Sequence, residues 1–145
     1  MTQTSQTTRI EFIEGLGIAA QEEGMSRISG RIMGLLMFDG GMFSFSDIAN
    51  ELQVSRGSIS TNVRMLINRG VIRRAAKPGA RLDYFTIADN PYDTLMAGVS
   101  QKAHETARWL ERIAVRLDND DPARLERLNK HAAFYDNISA GFKPQ

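Results

Sequence analysis

Residues 46–70 read SDIANELQVSRGSISTNVRMLINRG, two amphipathic segments separated by a very short turn. Ser46, or Ser44 just before it, can cap a brief helix through Leu52 whose inward side carries Ile48, Ala49 and Leu52. Gln53-Val54 makes the turn. Ser55 is suited to cap a second helix that runs to Arg69 and stops at Gly70, a natural left-handed residue after a helix end. On that helix Ile59, Val63, Leu66 and Ile67 form one apolar stripe. At about 100° per residue, the opposite face carries Gly57, Ser58, Thr61, Arg64, Met65 and Asn68. That face is small, polar and basic, and it has no carboxylate.

The next residues extend the pattern. Val71-Ile72-Arg73-Arg74 reads as a strand, Lys77-Pro78-Gly79-Ala80 as a turn, and residues 82–87 alternate as a second strand. Upstream, Ile10, Ile13, Leu16 (or Gly17) and Ala20 recur at helical spacing up to Gly24. Ser26 can cap a following helix with Ile28, Ile32, Leu35 and Leu36 on its buried side, ended by Asp39-Gly40-Gly41. Gly30 and Gly34, four apart, invite a close backbone approach. From Pro91, residues Met96, Val99, Ala103, Thr106, Leu110, Ile113 and Leu117 follow a near-heptad seam. A break over residues 118–122 places Pro122 in the first turn of a last helix, where Leu125, Leu128, Ala132 and Tyr135 continue a similar seam. The expected organisation is a flexible N-terminal tail over 1–9, a helix-and-hairpin domain with its N-terminal helices over 10–90, and a C-terminal helical arm over 91–145.

Charge placement narrows the function. The chain has 145 residues, 18 Lys+Arg and 17 Asp+Glu, with 42% apolar and 24% charged residues. Between residues 52 and 82 stand seven bases (Arg56, Arg64, Arg69, Arg73, Arg74, Lys77, Arg81) and no acid, while the rest carries 11 bases and 17 acids. An acid-free basic stretch in an otherwise acidic chain suits a polyanion partner; a solvated face normally mixes both signs. Zero cysteine excludes disulfides, thiolate zinc sites and cysteine nucleophiles. The longest apolar run, residues 32–38 interrupted by Gly34, is far short of the ~20 residues a membrane span needs. The polar start MTQTSQTT lacks the regions of a signal peptide, so a soluble cytoplasmic protein is expected. His104 and His131 are the only histidines, neither with a second ligand at metal spacing, and no phosphate-binding glycine motif follows a strand. Neither metal, cofactor nor enzymatic activity is expected.

Two short helices, a tight turn and a basic hairpin are the parts of a winged helix-turn-helix, predicting a mainly α fold with a small two-stranded β-hairpin wing. A helix entering a major groove ~12 Å wide wants small polar side chains and Arg outward. Arg56, Ser58, Ser60, Thr61, Asn62 and Arg64 are the candidate readers, and Arg73, Arg74, Lys77 and Arg81 the candidate phosphate contacts on the wing. An ordinary helical hairpin with a polar face, or a winged adaptor that binds an acidic protein, is the competing reading.

Residues 46–60, followed by Val63, Leu66, Gly70 and Val71, resemble the MarR-type winged-helix transcriptional regulators. Residues 24–36 and the run Lys77-Pro78-Gly79-Ala80-Arg81 with Tyr84-Phe85 resemble the GbsR (glycine-betaine-synthesis-regulator) subgroup. Gln53 departs from the glycine often found in that turn. The resemblance implies a homodimer, built from N- and C-terminal helices, that sits on a pseudo-palindromic operator in double-stranded DNA and most often represses. The apolar seams of the arm are wider than a small winged domain needs for its own core. Met96, Val99, Ala103, Leu110, Ile113, Leu117, Leu125 and Leu128 are therefore the candidate dimerisation residues, unless both helices fold back on their own domain. Aromatic faces can hold a quaternary ammonium, and the subgroup is associated with choline-type small-molecule effectors. Tyr92, Trp109, Phe134 and Tyr135 are candidate effector contacts, with plain core as the alternative.

Overall fold

The computed structural model describes residues 1–117 and 121–142. The elements run α1 (Gln3–Glu22), α2 (Arg27–Asp39), α3 (Phe45–Leu52), α4 (Arg56–Asn68), β1 (Ile72–Ala75), β2 (Tyr84–Ile87), α5 (Pro91–Arg116) and α6 (Pro122–Gly141). They form two units, Met1–Pro91 and Tyr92–Gln145.

In the first unit, α1 starts at Gln3, not after a tail ending at residue 9. The Thr2 hydroxyl accepts the Ser5 amide at 3.1 Å and caps the helix. Arg9 then anchors it from within, donating to both carboxylate oxygens of Asp39 at 2.8 Å and to Glu51 at 3.0 Å. These charge-assisted bonds hold the guanidinium pKa above its ordinary value, with the Asp39 hydrogen bond the main cause and burial opposing it. Local polarity suggested a loose end because both partners of Arg9 lie 30 or more residues away.

The crossing of α1 and α2 depends on missing side chains. A Cβ on Gly30 would lie 2.5 Å from the Leu16 carbonyl oxygen and 2.7 Å from the Ala20 Cβ, and one on Gly34 would lie 3.0 Å from the Ile13 Cα. Arg31 of α2 donates to Glu14 at 2.9 Å and to the Leu52 carbonyl, an otherwise open acceptor at the end of α3, also at 2.9 Å.

Of the two possible caps for α3, the structure uses Ser44. Its hydroxyl accepts the Asp47 amide at 3.1 Å, and the Asp47 carboxylate accepts the Ser44 amide at 2.9 Å, a reciprocal capping box. Gln53 takes the left-handed conformation (φ 55°) that closes the turn, and its side-chain amide donates to the Asn50 carbonyl. Ser55 caps α4 and Gly70, at φ 73°, ends it.

β1 and β2 pair antiparallel with Ile72 opposite Ile87 and Arg74 opposite Phe85. Pro78 and Gly79 (φ 78°) turn the hairpin, closed by the Ala80 amide on the Lys77 carbonyl at 3.0 Å. Phe43 adds a bridge to Phe85 through reciprocal backbone bonds of 2.9 and 2.8 Å. β1 lies one residue later than the expected 71–74, and β2 is shorter at its outer end than the alternation suggests, since Leu82 lies outside it and is exposed. Beneath the hairpin, Ile32, Leu35, Leu36, Ile48, Ile59, Val63, Leu66, Val71, Ile72 and Phe85 make a sealed core.

The second unit is a helical arm. Asp121 caps α6 through the Arg124 amide (3.0 Å), with Pro122 at the helix start; residues 118–120 of the expected break lie outside the described residues. Arg108 reaches Asp136 at 2.6 Å, and the Ser100 hydroxyl donates to the Ser139 carbonyl at 2.9 Å, so α5 and α6 are tied side by side. The buried line on α5 is Ala103, Ala107, Leu110 and Ala114, and α6 buries Ala132. This line, buried within one chain, runs beside the expected seam. Ala103 and Leu110 belong to it, but Ala107 and Ala114 stand where Thr106 and Ile113 were expected, and Met96 and Val99 are exposed. Ile113, Leu117, Leu125 and Leu128 are only half-buried. The residues on this buried line are mostly small, and the larger apolar residues stay on the flank. No described helix is long and apolar enough to cross a membrane.

Candidate nucleic-acid interface

α4 is held by its stripe of Ile59, Val63 and Leu66, all fully buried, which fixes which side chains can point away. Arg56, Gly57, Thr61, Arg64 and Asn68 are exposed, and Ser58 and Ser60 are half-buried at the edges. Nothing lies within 4 Å of a Cβ built on Gly57, so the start of the outward face is open enough for a close neighbour. The hydroxyls are partly committed. Thr61 Oγ1 donates to the Gly57 carbonyl at 3.1 Å, which leaves its lone pairs outward as acceptors. Ser58 Oγ accepts from Ser55 Oγ at 3.1 Å, which leaves its own proton to donate.

Asn62 departs from the expected set. Its side chain turns away from the outward face: Nδ2 donates to the Ser58 carbonyl at 2.8 Å and Oδ1 accepts the Ser26 hydroxyl. The helical wheel carried a clue, since Asn62 sits about 60° from Ile59 and about 40° from Leu66. The bond from Ser26, expected only as a helix cap, escaped the sequence reading because the two residues are 36 positions apart.

On the wing, strand alternation separates neighbouring arginines. Arg73 shares a face with Ala75, Tyr84 and Thr86, and Lys77 lies over the Tyr84 ring at 5.3 Å. Arg74 shares the other face with Phe85, and the first acid beyond the basic stretch, Asp83, stands 3.8 Å from it. The pair is exposed on both sides and holds Arg74 weakly. All seven bases of residues 52–82 are exposed. Glu51, the acid bordering the stretch on its other side, is drawn to Arg9. The unit therefore presents a cation-rich surface whose bordering carboxylates are both engaged.

The arm is chemically different. Phe134 meets Tyr135 at 5.4 Å between ring centroids, and His131 stands 5.1 Å from Tyr135 and 6.4 Å from Phe134. These rings form a surface shelf on α6. Tyr92 and Trp109 are half-exposed on α5. A shallow groove along α6 is lined by Pro122, Leu125, Glu126, Asn129, Lys130 and Ala133, and none of the four aromatics lines it. Among the described residues no cluster of His, Cys, Asp and Glu is placed to hold a metal ion.

Comparison with known proteins agrees with this geometry. Residues 23–81, from the end of α1 to the tip of the wing, match the MarR family model. Over 136 residues the chain is 32% identical to the HTH-type transcriptional regulator MmpR5 of Mycobacterium tuberculosis (strain ATCC 25618 / H37Rv), covering 89% of this chain and 81% of that protein. A crystal structure described as that of a transcriptional regulator superposes with a TM-score of 0.76 at 29% identity, covering 92% of this chain and 94% of the other. A capped two-helix unit, a basic antiparallel wing and these likenesses converge: the chain belongs to the MarR family of winged-helix, DNA-binding transcriptional regulators.

Proposed function

We propose that the chain is a repressor that works as a homodimer on a pseudo-palindromic operator, with α4 of each copy in a major groove. Arg56, Ser58, Ser60, Thr61 and Arg64 meet base edges and nearby phosphates. Arg73, Arg74, Lys77 and Arg81 hold the flanking backbone or minor groove, Arg74 most weakly because of Asp83. The observation that carries this reading is the exposure of all seven bases on a surface whose bordering acids, Glu51 and Asp83, already have cationic partners. Such a surface gains by releasing counterions from phosphates.

Dimer formation is supported by the large apolar side chains left uncovered on α1 (Ile10, Phe12, Ile18), α5 (Met96, Val99, Trp109) and α6 (Phe134, Ile138). A two-fold dimer demands half-sites ~34–36 Å apart, one turn of DNA. The wing and α2 motifs favour the GbsR subgroup, and the Phe134–Tyr135 shelf together with Tyr92 and Trp109 is where a quaternary-ammonium effector would first be sought.

Selection of bound sequences from random DNA tests the reading. The expected product is an inverted repeat with half-sites about one helical turn apart. Absence of enrichment by folded protein contradicts it and favours the protein-binding adaptor.

A further inference from the structure

Asn62 lies on the middle of α4, half-buried, and its amide is already engaged by groups of the chain itself. Its Nδ2 donates to the Ser58 carbonyl at 2.8 Å, and its Oδ1 accepts the only proton of the Ser26 hydroxyl. Ser26 Oγ at the same time accepts the Ser29 amide at 3.0 Å as the cap of α2. One hydroxyl thus joins two helices, α2 by its lone pair and α4 by its proton. To read adenine, an asparagine must present Oδ1 and Nδ2 together to the base edge. Asn62 already spends one Nδ2 proton and one Oδ1 lone pair on Ser58 and Ser26, which leaves one of each and ties the direction of the amide to those two partners.

We propose that Asn62 is a positioning residue: with Ser26 it pins the recognition helix to the N-terminus of α2 and so sets the angle at which α4 enters the groove. This rests on the reading of α4 as the groove helix. Releasing the pin alters the fit of every contact on α4 together, so affinity falls without a change in the preferred sequence. A base reader would do the opposite, losing discrimination at one base pair.

The experiment is a double-mutant cycle with the full chain: wild type, Asn62→Ala, Ser26→Gly, the double variant, Ser26→Thr and Arg64→Ala. Glycine at a helix N-cap costs only a few tenths of a kcal/mol against serine, so α2 stays capped well enough to fold. Binding is measured well below the melting temperature, to the selected operator and to operators altered one base pair at a time. Each single variant is expected to bind about two- to tenfold more weakly, the range one hydrogen bond supports, with unchanged sequence preference. The double variant should lose no more than the weaker single, and Ser26→Thr, which keeps the hydroxyl, should bind like wild type. Folded Asn62→Ala with wild-type affinity overturns the proposal, as does loss of preference at one base pair with Ser26→Gly unaffected, or multiplied losses in the double variant. Were wild type to show no sequence preference and Arg64→Ala no effect, the groove reading would fall, and this inference with it.

Discussion

The winged unit and the helical arm bury their apolar surface in different ways. Residues 1–91 seal a core of branched and aromatic side chains, with Leu35, Leu36, Ile48, Ile59, Leu66 and Phe85 wholly enclosed. From Tyr92 onward the buried line is mostly alanine, while Met96, Val99, Trp109, Val115, Phe134 and Ile138 remain exposed. Fully burying a large aliphatic side chain contributes about 1.5–3 kcal/mol, and an alanine far less. The winged unit therefore completes its own interior, and the arm keeps its larger apolar groups on the outside. α1 resembles the arm in this respect, exposing Ile10, Phe12 and Ile18 beside its glycine-lined crossing with α2. Under the proposed two-fold reading this division has a use: a reader whose core is complete within one chain, and helices left with apolar surface for a second copy.

The sharpest break between the two regions is a core deletion in the reader. Leu66→Ala should cost about 2–5 kcal/mol, measured by urea unfolding. Its effect should be the same at every protein concentration, because the site lies inside one unit. Arg9→Ala should cost about 2 kcal/mol, since it leaves Asp39 and Glu51 unpaired at a partly buried junction of α1, α2 and α3. A loss near zero would mean that solvent serves those carboxylates equally well. In the arm, Val99→Lys should leave the winged unit folded but lower the sedimentation mass at micromolar concentration; an unchanged dimer would remove α5 from the interface. The smallest effects belong to the wing. Arg81→Ala should weaken all DNA alike and reduce the salt slope by about 0.9, and Arg74→Ala should do less because Asp83 competes for it.

Legibility followed range. Ser26, Ser55, Gly70 and the Pro78-Gly79 turn are local chemistry, and each stands in the structure where its sequence neighbours implied. Gln53 performs a left-handed turn usually given to glycine, an accommodation visible only in the backbone. The start of α1 was missed because Arg9 finds its anions through the fold and not along the chain. The line that α5 buries within one chain runs beside the near-heptad seam because a 3.5-residue repeat and a straight 3.6-residue helix drift apart, so alanines 107 and 114 fall on it. Within the candidate site, the outward cations were readable from their positions on helix and hairpin. Asn62 was not, since a polar residue flanking an apolar stripe has a direction only once its partner is known.

The central claim is electrostatic, and titration of duplex binding against salt tests it most directly. A surface with five or more cations free for phosphates should give log K falling against log salt with a slope of about −4 or steeper. A slope near zero, or no retention of folded protein on duplex DNA at low salt, would contradict it.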